Sequence, residues 1–122
     1  MAERLHHHMI VRQEDLNQYG SLFGGRVLAV IDELAYIACT RRFPGRNFVT
    51  KAVLNAEFSA PAHLGDMLEF GFWVEDVGRT SVQVRVEMVV YPEGGGAESR
   101  SFDGTVVMVC VDDDGRPIPV EA

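Results

Sequence analysis

The chain has 122 residues, a formal net charge of −7, 47% hydrophobic and 24% charged residues. That suits one core and a single domain over residues 1–122, and the acidic balance leaves no basic stripe for nucleic acid. No apolar run is long enough to span a bilayer. The N-terminus Met-Ala-Glu-Arg-Leu-His-His-His lacks the apolar core of a signal peptide, so the expectation is a cytoplasmic protein with no membrane partner.

In chain order, Leu5 to Arg12 reads as a short first strand. It carries His6, His7 and His8, but no second His or Cys cluster completes a ligand set, and no metal is expected. Glu14 to Ser21 reads as a loop. A helix is expected from near Phe23–Gly25 to near Arg42, stopped by Phe43-Pro44-Gly45, where proline removes a donor and glycine permits a left-handed turn. Arg41, Arg42, Arg46 and Lys51 gather behind it. A solvated helix end favoured by the macrodipole and a seat for a phosphate-bearing ligand are both open readings of that cluster. Cys39 and Cys110 show no CxxC spacing and read as reduced, buried side chains.

Four strand-like segments follow. Asn47 to Phe58 is the first, ended by Ala60-Pro61. Met67 to Val77 alternates Leu68, Phe70, Phe72 and Val74 against polar or small neighbours, and Gly78-Arg79 makes a turn. Thr80 to Tyr91 alternates Val82, Val84, Val86 and Met88 against Gln83, Arg85 and Glu87. Pro92 to Ser99 is a Gly-rich hairpin loop. Phe102 to Val111 is the last strand, closed by a turn over Asp112 to Gly115. One helix followed by a run of strands argues for an α+β fold with the helix on one face of an antiparallel sheet.

The helix carries one carboxylate that needs a reason. At about 100° per residue, Arg26, Glu33 and Thr40 share a polar edge, while Val27, Val30, Ile31, Leu34, Ile37 and Ala38 spread over the core side. Asp32 falls beside Gly25, Ala29, Tyr36 and Cys39, so it is expected off the solvated stripe, unlike Glu33. It is either a structural acid paired with an arginine or a backbone N–H, or a base tuned by its surroundings. The pair Gly24-Gly25 at the helix start leaves backbone N–H groups open to a carbonyl or anion, which favours the second reading.

The pattern Asn17-x-x-Gly20-x-x-Phe23-Gly24-Gly25, with Asp32 following, resembles the hotdog-fold acyl-CoA thioesterases of the acyl-CoA hydrolase (YciA-like) family. Phe48-Val49-Thr50 resembles their entrance to the first long strand, and Phe58-Ser59-Ala60-Pro61-Ala62-His63-Leu64-Gly65-Asp66 their Phe-x-x-Pro-x-x-x-Gly-Asp segment. Val77-Gly78-Arg79-Thr80-Ser81 and Val111-Asp112-Asp113-Asp114-Gly115-Arg116-Pro117 continue the likeness, which covers roughly residues 9 to 120. The sequence departs from it at Tyr19, Ser21 and Arg26 and stops soon after Pro119.

The resemblance implies a hotdog fold, one long central helix wrapped by an antiparallel sheet of about five strands. It implies hydrolysis of acyl-CoA, with coenzyme A as part of substrate and product and no separate cofactor. Asp32 would act as general base or nucleophile, with the N–H of Gly25, and of Gly24 beside it, holding the oxyanion. Asn17 would orient water or carbonyl, the alternative being an Asx-turn residue. Thr50 would hydrogen-bond near the acid, the alternative being an ordinary strand threonine. Gly78, Arg79, Thr80 and Ser81 would contact the CoA, the alternative being a plain hairpin turn. Phe23, with Leu28, Tyr36, Phe58 and Met67, is a candidate wall for the acyl tunnel. Self-association to a dimer with shared active sites, and further to a trimer of dimers, is expected. A non-catalytic acyl-CoA-binding or regulatory hotdog module is the competing reading. A hotdog dehydratase is a third, for which His63 is the one isolated candidate.

Overall fold

The computed structural model describes residues 3–121, which form one helix and a five-stranded antiparallel sheet, the hotdog architecture expected from the sequence. The strands are β1 (Leu5–Ile10), β2 (Asn47–Phe58), β3 (Met67–Val77), β4 (Ser81–Tyr91) and β5 (Ser99–Val111), and the helix α1 is Gly24–Arg42. Their order across the sheet is β1-β3-β4-β5-β2, so the first two strands of the sequence become the two edges. None of the helices described is long and apolar enough to cross a membrane.

Alternation along β4 sets the two faces. Val82, Val84, Val86, Met88 and Val90 are buried towards α1, where they meet Val27, Ile31, Leu34, Ala35 and Ala38 together with Phe70 and Phe102. The other face carries paired charges. Glu87 accepts from Arg4 and Arg100, each at 2.9 Å, and Arg85 lies 3.3 Å from Asp103. Gly71 leaves the room that Arg4 needs, since a Cβ there would stand 2.9 Å from its guanidinium.

Among the described residues, no side chain caps the start of α1. The preceding chain is held instead by Asp15, which is 3% exposed. Its Oδ1 accepts Arg26 Nε–H at 2.9 Å, its Oδ2 accepts the Arg12 N–H at 2.9 Å, and its carbonyl accepts the Phe23 N–H at 2.8 Å. One buried carboxylate thus ties the end of β1, the connecting loop and the first helical turn. Asp66 works similarly at the start of β3, accepting the N–H groups of His63 at 2.9 Å and Glu93 at 3.0 Å. Sequence reasoning reached Asp66 only as part of the Gly-Asp segment and did not single out Asp15, because a buried carboxylate in a loop leaves no periodic signature.

Several expectations need correction. β1 ends at Ile10, not Arg12, because the Val11 N–H turns to Asp66 and the Arg12 N–H to Asp15. β4 begins at Ser81 rather than Thr80. β5 begins at Ser99, three residues before Phe102, because Ser99 and Arg100 pair with Val90 and Val89. Where a loop is expected from Glu14, residues from Gln13 to Asp15 make a short 3-10 turn. Ile37, assigned to the core side, is exposed, since it lies on the β1 flank of α1 beyond the buried stripe. The basic cluster behind the helix is partly spent: Arg41 grips Glu3 with two bonds of 2.8 and 3.0 Å. That guanidinium holds the Glu3 carboxyl below the usual carboxylate range.

Candidate active site

The flank of α1 that faces β2 holds the acid. The side chain of Asp32 accepts a hydrogen bond from Thr50 Oγ1–H, whose oxygen also lies 3.4 Å from Met108 Sδ. The backbone explains why Thr50 reaches the helix: it lies two residues after buried Phe48 in regular register with β5, on the same face of the strand. Thr50 pairs with Met108 and Ala52 with Val107, leaving Lys51 as an extra residue in β2. Such a bulge bends the strand just beyond Thr50 and re-aims the residues that follow. Asp32 and Thr50 are therefore brought together across 18 residues of sequence. Within one chain, however, Asp32 is exposed, contrary to the expectation from helix periodicity. The wheel places it off the polar edge correctly, but the flank it occupies is itself open.

At the start of the same helix, no oxygen among the described residues accepts the N–H of Gly24 or Gly25 in a hydrogen bond. Both groups point out of the first turn, where the helix dipole adds partial positive charge. Phe23, the N-cap residue, lays its exposed ring over Gly25: a Cβ at residue 25 would stand 2.5 Å from Phe23 Cε2. Gly24 faces Phe58, with ordinary contact distances of 3.6 and 3.7 Å for an added Cβ. Gly25 and Asp32 are seven residues apart, which on a helix is about 10 Å along the axis. One carbonyl cannot touch both within one chain.

Asn17 makes a turn. Its Oδ1 accepts the N–H groups of Tyr19 at 2.9 Å and Ser21 at 3.1 Å, and Gly20 takes φ +82° inside that turn. The carbonyl side of the amide is committed locally, while Nδ2 keeps its two donors. Gly78, Arg79, Thr80 and Ser81 form the β3–β4 turn, tied by Gly78 N–H to Ser81 O at 2.8 Å, Cys110 N–H to Thr80 O at 2.8 Å and Val120 N–H to Arg79 O at 2.9 Å. Val82 sits opposite Met108, and Met108 opposite Thr50. The turn is thus two strand spacings, about 10 Å, from the Asp32–Thr50 pair. It shares an end of the sheet with that pair but does not touch it.

The tunnel candidates divide. Phe23, Leu28, Tyr36 and Phe58 are all exposed and lie along the β2 flank or the helix start. Met67 does not belong with them, because it pairs with Ile10 and Tyr91 towards the opposite edge. A recess of about 320 Å³ opens beneath the helix start, lined by Leu22, Gly24, Val27, Phe58, Met88 and Ser101 among others. A wider groove of about 580 Å³ lies on the other flank, between β1 and α1, and includes Arg26 and Glu33 but not Asp32. Among the described residues, no group of three or more His, Cys, Asp or Glu side chains is placed to hold a metal ion. Burial, together with nearby Cys110, pushes the Cys39 thiol up to about 12.

A profile of the Thioesterase superfamily matches residues 19–97. An uncharacterized acyl-CoA thioester hydrolase of Bacillus subtilis is 28% identical over 106 residues, covering 87% of this chain. This chain spans 61% of that relative's length. A second uncharacterized acyl-CoA thioester hydrolase, from Zymomonas mobilis, is 30% identical over 112 residues, covering 92% of this chain and 74% of its own. Among solved structures, an apo-hexameric acyl-CoA thioesterase superposes with a TM-score of 0.86 at 33% identity, covering 95% of this chain and 74% of that one.

Proposed function

The chain belongs to the thioesterase superfamily, and from that premise we propose that it hydrolyses acyl-CoA thioesters in a site completed by two copies of the chain. The observation that carries this reading is the Asp32–Thr50 pair on the open flank of α1, with unbonded N–H groups at the start of the same helix. Attack requires reacting atoms about 3 Å apart. The separation of Gly25 from Asp32 therefore supports a composite site, in which one copy supplies the N–H groups and another the acid.

In that site the thioester carbonyl oxygen sits at the Gly25 N–H, with Gly24 beside it. Asp32 removes a proton from water as the water oxygen bonds to the carbonyl carbon. The negative charge that develops on the carbonyl oxygen is met by the N–H groups and the helix dipole. The C–S bond then breaks, the CoA sulfur takes the proton, and the free acid remains. Direct attack by Asp32 to give a mixed anhydride uses the same geometry. Thr50 occupies one side of the carboxylate and fixes its orientation. The free Nδ2 donors of Asn17 position the water or the carbonyl. Phe23 flanks the carbonyl end. Arg79, with Gly78, Thr80 and Ser81, receives the pantetheine or phosphates of CoA. Coenzyme A enters only as part of the substrate, and water alone balances the reaction.

The partner copy docks through β2. This edge strand exposes Val49, Val53, Leu54 and Phe58 and, among the described residues, carries no strand on its outer side. Long apolar edges are the usual template for pairing with another chain. A dimer through this edge, and a trimer of such dimers, follow as the proposed assembly.

The test is release of free CoA, followed with a thiol reagent, from acetyl- to palmitoyl-CoA and aryl thioesters by the wild type and Asp32→Asn. Turnover that collapses in a folded variant supports the mechanism. Unchanged turnover in Asp32→Asn overturns it. Tight acyl-CoA binding without turnover in the wild type supports the non-catalytic module instead.

A further inference from the structure

Ser101 lies at a defect in the sheet. Phe102 pairs with Met88 and Arg100 with Val89, so Ser101 is an extra residue in β5 with no partner in β4. A regular strand would turn every second side chain away from the helix. The bulge lets two successive residues, Ser101 and Phe102, be buried together, at 1% and 0% exposure. For a phenylalanine that is ordinary packing. For a serine it is not, because the Ser101 hydroxyl makes no hydrogen bond among the described residues. Buried hydroxyls are nearly always paired, and an orphan calls for an explanation.

The surroundings supply one. Ser101 lines the 320 Å³ recess beneath the helix start, and Val27, Ala62 and Met88, all buried, line it too. These make its floor. Exposed Phe58 and Pro61 make its rim, and Gly24 stands in its wall. A recess with a closed floor suits the terminal group of a substrate, not the CoA, which must run out to solvent. A thioester carbonyl held at the free N–H groups of Gly24 and Gly25 places its acyl group at this opening.

Resting on the thioesterase reading above, we infer that the recess receives the acyl group and that Ser101 is a specificity-determining residue for acyl chains bearing a hydroxyl or keto oxygen. The substituent's oxygen pairs with the hydroxyl that the protein leaves unpaired. A site built around one hydrogen bond discriminates strongly against a ligand that lacks it, because the protein group is then stranded. The remaining lining, Val27, Met88 and Phe58, accommodates the aliphatic part.

The experiment uses non-hydrolysable CoA thioethers carrying C4 to C8 chains, in matched pairs with and without a hydroxyl or keto group. Their affinities are measured by calorimetry for the full-length wild type, Ser101→Ala and Ser101→Thr, and turnover of the corresponding thioesters is followed in parallel. The expected result is that the wild type favours one oxygenated position about tenfold, that Ser101→Ala loses this preference, and that Ser101→Thr keeps it. Equal binding of both members of every pair by the wild type overturns the inference and assigns the hydroxyl to a trapped water. So does a preference that survives unchanged in Ser101→Ala. Hydrolysis without oxygen preference leaves the thioesterase reading standing and removes this one. Oxygen preference without hydrolysis does the reverse.

Discussion

The two edges of the sheet are built on opposite plans. β1 is six residues long, and its side chains are engaged: His6 and His8 lie 3.4 and 3.3 Å from Glu69, which also accepts the Tyr91 hydroxyl at 2.8 Å. Just ahead of the strand, Arg4 stacks 4.3 Å from the Trp73 ring centroid while pairing with Glu87. β2 is twelve residues long, interrupted by two irregularities, and exposes Val49, Val53, Leu54 and Phe58 at 40–52%. Short, charged strands are how proteins close an edge, and long apolar ones invite a partner. The same division runs along α1. Its β1 flank ends in the Asp15–Arg26 latch, which is complete within one chain, while its β2 flank holds Asp32 open to solvent. The latch that is complete within one chain lies on one flank, and the proposed chemistry on the other.

The sharpest test of this division is Asp32→Asn. Turnover is expected to fall by about 10³-fold with the melting temperature unmoved, read by CoA release and thermal unfolding. A large loss of stability would break the division. Next comes Val53→Lys, which places a charge on the open edge. Light scattering is expected to report a monomer with native circular dichroism, and turnover should fall with assembly although Asp32 is intact. Full activity in a monomer would sink the composite site. Third, Asp15→Ala strands the Arg12 N–H and the Arg26 guanidinium, which both bond its carboxylate. It should cost about 2 kcal/mol, seen as a melting temperature lower by about 8 °C, with the activity of the folded fraction retained.

Two smaller effects concern titration. The raised Cys39 thiol resists alkylation at pH 8 in the folded state, and mass spectrometry should find it unmodified. Because its folded value lies above the unfolded one, its contribution to stability is full below the unfolded value and is lost as pH rises towards about 12. Glu69 is the smallest. The Tyr91 hydroxyl lowers its carboxyl first, and His8 and His6 add to this. A depressed folded value stabilises above the unfolded value and loses that contribution as pH falls through the folded one. Glu69→Gln should therefore lower the melting temperature slightly at neutral pH, converge with the wild type at low pH, and so flatten the acid limb of the melting-temperature profile.

Much of this was legible in the residues. The alternation of Val82, Val84 and Val86, the glycine and proline stops, and the helix between Gly24 and Arg42 follow from local periodicity, and all are present. What sequence did not carry is long-range. Strand order depends on which hairpins close, and β2 skips to β5 rather than pairing with β3. The exposure of Asp32 depends on a flank left open, which a helical wheel cannot register. Thr50 reaches the acid because the pairing of β2 with β5 turns it to the helix side with Phe48, and Ser101 is turned inward by the bulge it occupies. Asn17 is the instructive mixed case: its carbonyl oxygen makes the turn that sequence offered as the alternative, and its amide nitrogen stays available.

The closeness of Phe23 to Gly25 has an evolutionary consequence. An alanine at residue 25 would collide with the ring at 2.5 Å, so that substitution cannot be judged alone. The two positions form an epistatic pair. A lineage that first shortens residue 23 is free to change residue 25, whereas one that keeps the aromatic must displace the ring or keep the glycine. Substitution at 25 therefore acts first on the exposed Phe23 ring, which the proposed mechanism sets beside the carbonyl, and the order of the two changes decides what each one does.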